Sequence, residues 1–190
     1  MELMNLNSKR IFQMVLAGVL CAVGMAVPMF MPKIVLGPMS FTLASHVPAF
    51  LAMFISPMVA LSVCIGSALG FFVTTPLIIA LRAASHIVFA LLGAWLLKKK
   101  PGLADSASGL LLLNLVLAFV HAVCEVVVVT PFFFAGNMFS VQQLAGGYVM
   151  SVLGLVGGGT MLHSLIDFSI AAVLWRAVCS GVPQLKLLKD

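Results

Sequence analysis

Apolar runs long enough to cross a bilayer alternate along the chain with short clusters of proline, glycine and lysine, and few polar residues interrupt them. The runs predict six membrane-spanning helices. They cover about Ile11 to Val27, Phe41 to Ile55, Pro57 to Val73, Leu77 to Leu97 and Leu110 to Val129, with a last span ending near Trp175 and Arg176. Pro28 stops the first span, because proline cannot continue a helix's hydrogen-bond ladder. A Pro-rich loop follows, from Met29 to Ser40. Ser56 and Pro57 leave room for a tight hairpin, Pro76 suits the first turn of the fourth span, and Lys98 to Gly102 (KKKPG) ends that span sharply. A loop is expected from Thr130 to about Gln143. Glycines 146, 147, 154, 157, 158 and 159 point to a bent or re-entrant entry into the sixth span. The expected fold is an all-α membrane protein, one six-helix transmembrane domain over residues 1–190.

Composition agrees with the pattern: 63% of residues are hydrophobic and 8% charged, where a soluble domain carries about 25% charged residues. A soluble globular protein is excluded. The net charge of +5 does not make a nucleic-acid face, because the cations lie mostly at the ends of apolar runs. With the N-terminus inside, Lys9, Arg10, Lys98, Lys99, Lys100, Arg176, Lys186 and Lys189 are cytoplasmic, against Lys33 alone in an outer loop. Both termini are therefore expected in the cytoplasm. The first 27 residues resemble a signal peptide but lack a clear cleavage site, so they are read as the first helix. Cys21, Cys64, Cys124 and Cys179 have no metal-ligand spacing and are read as small buried hydrophobes.

The acids are five: Glu2, Asp105, Glu125, Asp167 and Asp190. Two of them, Glu125 and Asp167, fall inside spans, as does Arg82, and such groups cost several kcal/mol at membrane depth unless paired or hydrated. Three pairs stand at i, i+4: Arg82 with His86, His121 with Glu125, and His163 with Asp167. On the expected topology Arg82, His86, Glu125 and His46 lie in the outer half, Glu125 about one turn below the outer end of its span. That layout suits a polar cavity loaded from outside. The competing reading makes these groups interhelical staples, with Arg82 neutralised by Glu125 or Asp167. Four histidines and two carboxylates are also enough ligands for zinc, nickel or cobalt, although there is no His-x-x-x-His and Arg82 opposes a divalent cation. This leaves a small secondary or metal carrier, or a metal-dependent intramembrane enzyme, as alternatives, yet Ser85 beside His86 and Ser164 beside His163 form no dyad by spacing. No catalytic residue, cofactor or resident metal is called for.

Gly18, Ala22 and Ala26 form a small-xxx-small ladder in the first span, which fits either internal packing or an external helix docking there. Phe132, Phe133, Phe134, Phe139 and Tyr148 are expected as interface anchors, with closure over a bound ring as the other role.

Length, six spans, the small-residue ladder, the Pro-rich first outer loop and the stretch PKIVLGPMSFTLASHVPAFLAMFISP from Pro32 to Pro57 together resemble the substrate-binding subunit, or S component, of energy-coupling factor (ECF) vitamin transporters. The resemblance implies a non-enzymatic subunit in the bacterial plasma membrane that binds a water-soluble vitamin near the outer surface. It implies association with a transmembrane coupling protein and two ABC ATPases, and an ATP-driven import in which the whole subunit topples in the membrane. The family's Ala-xxx-Ala matches Ala22 and Ala26, extended by Gly18, whereas nearer mid-span Ala17 is followed by Cys21. On the same resemblance, the binding residues are His46, Arg82, His86, Glu125, His163 and Asp167. Arg82 can hold a carboxylate in a two-point fork and a His or acid can meet a ring nitrogen, which suits a small anionic heterocycle such as nicotinate. Pantothenate, pyridoxine, biotin and other vitamins remain open.

Overall fold

A computed structural model describes residues 6–136, 139–140, 143 and 145–188. Glu2, Lys189 and Asp190 lie outside the described residues. Among the described residues five helices are long and apolar enough to cross a bilayer, so the chain is an all-α membrane protein. They are α1 (Leu6–Phe30), α3 (Pro57–Thr74), α4 (Leu77–Lys99), α5 (Ala107–Ala135) and a last continuous helix over Val149–Gly181. In that last helix the first ten residues, Val149–Gly158, are π-helical and the remainder, α6 (Gly159–Gly181), is regular. The expected glycine-rich bend is thus a widened helix, with Gly154, Gly157 and Gly158 inside it.

The expected second span is the principal correction. Phe41 to Ile55 is not one helix: the chain first forms an antiparallel hairpin, β1 (Lys33–Leu36) with β2 (Met39–Thr42), turning at Gly37, whose φ of 58° suits glycine. It then passes through a turn containing Ala44 at φ 61° into a helix of seven residues, α2 (Val47–Met53), about 10 Å long. The hairpin lies beside Thr74, Thr75 and Pro76 at the α3–α4 junction, while Phe54 to Pro57 lie beside Leu97, Lys98 and Pro101 at the opposite end of the bundle. This composite segment therefore runs from one end to the other without a long helix. Such irregular backbone is tolerated at membrane depth when protein surrounds it, and six of the seven α2 residues are buried.

Two prolines also behave differently from expectation. Pro28 lies inside α1, which continues to Phe30, and Pro131 lies inside α5, which extends to Ala135 and takes Phe132, Phe133 and Phe134 into the helix instead of a loop. Each removes one N–H, and the helix resumes within a turn. Phe133 and Phe134 pack edge-on and face-on against Tyr148, which also bonds Thr130 at 2.9 Å. These rings anchor the last helix to α5, and none of them lines the large cavity described below.

The core beneath that cavity is aromatic. Phe50, Phe89 and Phe168 are almost fully buried, and Trp175 stacks on Phe54 at 5.4 Å. Helix α1 leans on α3 through its own small-residue seam. A Cβ at Gly70 would meet the Met25 backbone at 2.7 Å, and one at Gly66 would meet Cys21 at 3.0 Å. Gly18 and Ala22 lie on a different, exposed face, and a Cβ at Gly18 would meet nothing within 4 Å.

Candidate substrate-binding site

Four elements aim polar side chains at one point. The strained turn after β2 places Ser45 and His46, α4 supplies Arg82 and His86 one turn apart, α5 supplies His121 and Glu125, and α6 supplies His163 and Asp167. Each helix contributes residues at i and i+4, so each presents two side chains on the same face. All of these residues are buried. A desolvated ionic group is expensive, and most of these groups are paired with one another.

Arg82 and Glu125 form a direct ion pair through Nε and Oε2. The guanidinium also donates from its two terminal nitrogens to the Ser40 hydroxyl at 3.2 Å and the Ser40 carbonyl at 3.1 Å, tying β2 to α4. Three of its five N–H donors are thereby used. The remaining two, one on each terminal nitrogen, are free for a ligand. Asp167 accepts from the His46 backbone N–H and from its ring Nδ1, both at 3.0 Å. The second of these bonds places the proton on Nδ1 and leaves the Nε2 lone pair facing His86 Nε2 at 3.2 Å. His163 stands between Ser45 (3.3 Å) and Asp167 (3.4 Å), and the Phe41 ring stacks on it at 4.7 Å.

Above this cluster a cavity of about 230 Å³ opens toward the hairpin end. Its walls are Ser40, Phe41, Thr42, Ser45 and His46 from the β2 segment, Phe71 and Thr74 from α3, Ile79, Arg82, Ala83 and His86 from α4, Glu125 from α5, and Thr160 and His163 from α6, with Lys33 at the rim. Ligand pockets usually span roughly 300–1,000 Å³, so this one is sized for a single-ring solute.

All six residues singled out from the sequence meet here, five on the cavity wall and Asp167 directly behind His46 and His163. Arg82 is neutralised by Glu125, and Asp167 belongs to the histidines. Glu125 sits ten residues, about 15 Å, from the end of α5, deeper than the expected single turn, because that helix continues past Val129. The sequence reading left out Ser40, Ser45, Phe41 and Thr160. Hydroxyls and a phenylalanine in an apolar run carry no signal of their own there. His121 was recognised as a partner of Glu125 and proves to be wholly buried below the cavity floor. Ser85 donates to the Arg82 carbonyl at 2.7 Å and does not face His86, so no nucleophile dyad forms.

The chain is similar to the niacin transporter NiaX of Lactococcus lactis subsp. cremoris (strain MG1363), with 34% identity over 184 residues, 96% of this chain and 81% of that protein. It belongs to the NiaX family. No protein-family model matches the chain, and no solved structure does. Membership makes the chain an S component of the ECF class, a multi-pass cell-membrane protein and not an enzyme. The intramembrane-enzyme alternative gives way on that finding.

Proposed function

We propose that this subunit captures nicotinate from outside the cell in the cavity lined by Arg82, and that the vitamin is carried inward by an ECF coupling protein with two ABC ATPases. The observation that carries the reading is the pair of unused N–H donors on Arg82, buried at the wall of a one-ring cavity. Because Ser40 already takes one N–H of each terminal nitrogen, the two that remain diverge, and a carboxylate oxygen meeting one of them forms a charge-assisted bond. Phe41, stacked on His163, and the Thr160 hydroxyl offer the heterocycle an aromatic and a polar neighbour. In this reading His46, Arg82, His86, Glu125 and His163 line the substrate site and Asp167 holds the two histidines in place. The relative's name supports the substrate class.

The proposed topology has six crossings, five long helices and the composite segment from β2 through α2, with both termini cytoplasmic. Lys98, Lys99 and Lys100 then face the cytoplasm at the end of α4 opposite the cavity. The 190 residues act as a single substrate-binding domain. The Gly18–Ala22–Ala26 ladder of α1, exposed at Gly18 and Ala22 and half-buried at Ala26, is proposed as the surface on which a coupling helix packs, since internal packing uses Cys21 and Met25 on another face. Only 11% of the most apolar stretch of α1 is buried in the chain's own fold, which leaves that helix available to a partner.

The test is isothermal titration of nicotinate into purified subunit in detergent. Nicotinate has nine non-hydrogen atoms, so at a ceiling of about 1.5 kcal/mol per atom a nanomolar complex is attainable by a well-formed site. One-to-one binding with a dissociation constant between about 1 nM and 1 µM is expected. Absence of binding at millimolar nicotinate overturns the substrate assignment.

A further inference from the structure

At the cavity floor His46, His86 and Glu125, which line the substrate site, meet His121, which lies below it and which vitamin capture does not use. His121 is fully buried, yet its Nδ1 has no hydrogen-bond partner and its Nε2 has only a long 3.5 Å contact with Glu125 Oε1. Poorly satisfied nitrogens on a desolvated imidazole are costly, and native proteins keep such groups where something else satisfies them. The surrounding donors point to what that is. One ring nitrogen each from His46, His86 and His121 lie within 4.8 Å of one another. The Nε2 atoms of His46 and His86 are 3.2 Å apart, and Glu125 Oε1 is 3.5 Å from His121 Nε2 and 3.8 Å from His86 Nε2. A tetrahedral shell with metal–nitrogen and metal–oxygen bonds of about 2.0–2.2 Å spaces its donors about 3.3–3.5 Å apart.

We infer that His46, His86, His121 and Glu125 bind one divalent transition-metal ion of the zinc, cobalt or nickel type, under the floor of the substrate cavity. The outer partners agree with this assignment. His46 donates from Nδ1 to Asp167, the carboxylate–histidine relay that orients a ligand's other nitrogen toward a metal. Arg82 would repel a bare dication, but it engages Glu125 through Oε2 and leaves Oε1 on the metal side, so the carboxylate stands between the two positive charges. The other potential cluster, His46, His163 and Asp167, is less apt, because His163 Nε2 already faces Ser45 and Asp167. The inferred ion would fix the floor on which the vitamin rests.

The experiment uses the full chain in detergent, freed of any polyhistidine tag and stripped with a chelator, and titrated with cobalt(II) and separately with zinc(II). One cobalt per chain is expected, with the intense visible ligand-field absorption of a four-coordinate site, displaced by zinc. In His121→Phe that absorption is lost and cobalt affinity falls at least tenfold. In Asp167→Asn, which keeps all four ligands, affinity falls about 10- to 100-fold. Less than a tenth of an equivalent bound to wild type, or equal cobalt binding by wild type and His121→Phe, overturns the inference. The wild-type titration decides the matter even if a variant fails to fold. Nicotinate is titrated in parallel into the wild-type protein with and without zinc. Vitamin binding without metal binding removes this site alone, and metal binding without vitamin binding removes the substrate assignment alone.

Discussion

Replacing Arg82 separates its two roles, because the structure lets the cost to the fold and the cost to binding be estimated independently. Arg82→Met removes the cation from a pair whose two side chains are 7% and 4% exposed and leaves Glu125 charged with no counter-ion. Breaking one side of such a pair destabilises by about 3–5 kcal/mol. Removing both charges in Arg82→Met/Glu125→Gln eliminates the stranded carboxylate, so most of that loss should be recovered. Binding should not recover. The N–H offered to a carboxylate makes a charge-assisted hydrogen bond of about 1.5–3 kcal/mol, so nicotinate affinity falls by roughly 10- to 10²-fold in both variants. Thermal unfolding monitored by tryptophan fluorescence reads the first quantity, and titration calorimetry with nicotinate reads the second. If the double variant is stable and binds nicotinate within threefold of wild type, Arg82 does not hold the carboxylate and the site argument fails.

Other consequences can be checked in the same preparation. Nicotinamide, which lacks the anionic carboxylate, should bind at least tenfold more weakly than nicotinate in competition calorimetry. Gly70→Val pushes a side chain into the Met25 backbone and should lower stability by about 1–3 kcal/mol, whereas Gly18→Val, on open space, should leave the melting temperature within about 2 °C because exposed substitutions usually stay within ±0.5 kcal/mol. Gly18→Leu combined with Ala22→Leu should leave nicotinate affinity unchanged while abolishing co-purification with the coupling protein and uptake in reconstituted vesicles.

The site was more legible in the sequence than the backbone that carries it. A charged group inside a bilayer has few ways to be tolerated, so Arg82, Glu125 and Asp167, once located on spans, had to find polar neighbours, and the i, i+4 histidines were the ones at hand. Which acid took the arginine was not legible, because that depends on how α4, α5 and α6 are rotated against one another. The second crossing was hidden for a different reason. Phe41 to Ile55 reads as a mostly apolar run, and where most of a segment is buried, periodicity no longer distinguishes a strand and a short helix from one longer helix. Pro28 ends the first expected helix too early, because a proline removes one hydrogen bond and the rest of the turn survives. His121 carried a visible signal in its pairing with Glu125, yet only its burial with poorly satisfied nitrogens distinguishes it from a staple.

The central claim is that the buried ionic cluster exists to hold a solute's carboxylate. A structure of the subunit with nicotinate bound tests it most directly. The account predicts the ring in the cavity beneath the β1–β2 hairpin, with one carboxylate oxygen about 2.7–2.9 Å from a terminal nitrogen of Arg82. Nicotinate bound elsewhere, or in this cavity with its carboxylate turned away from Arg82 toward the rim, would contradict it.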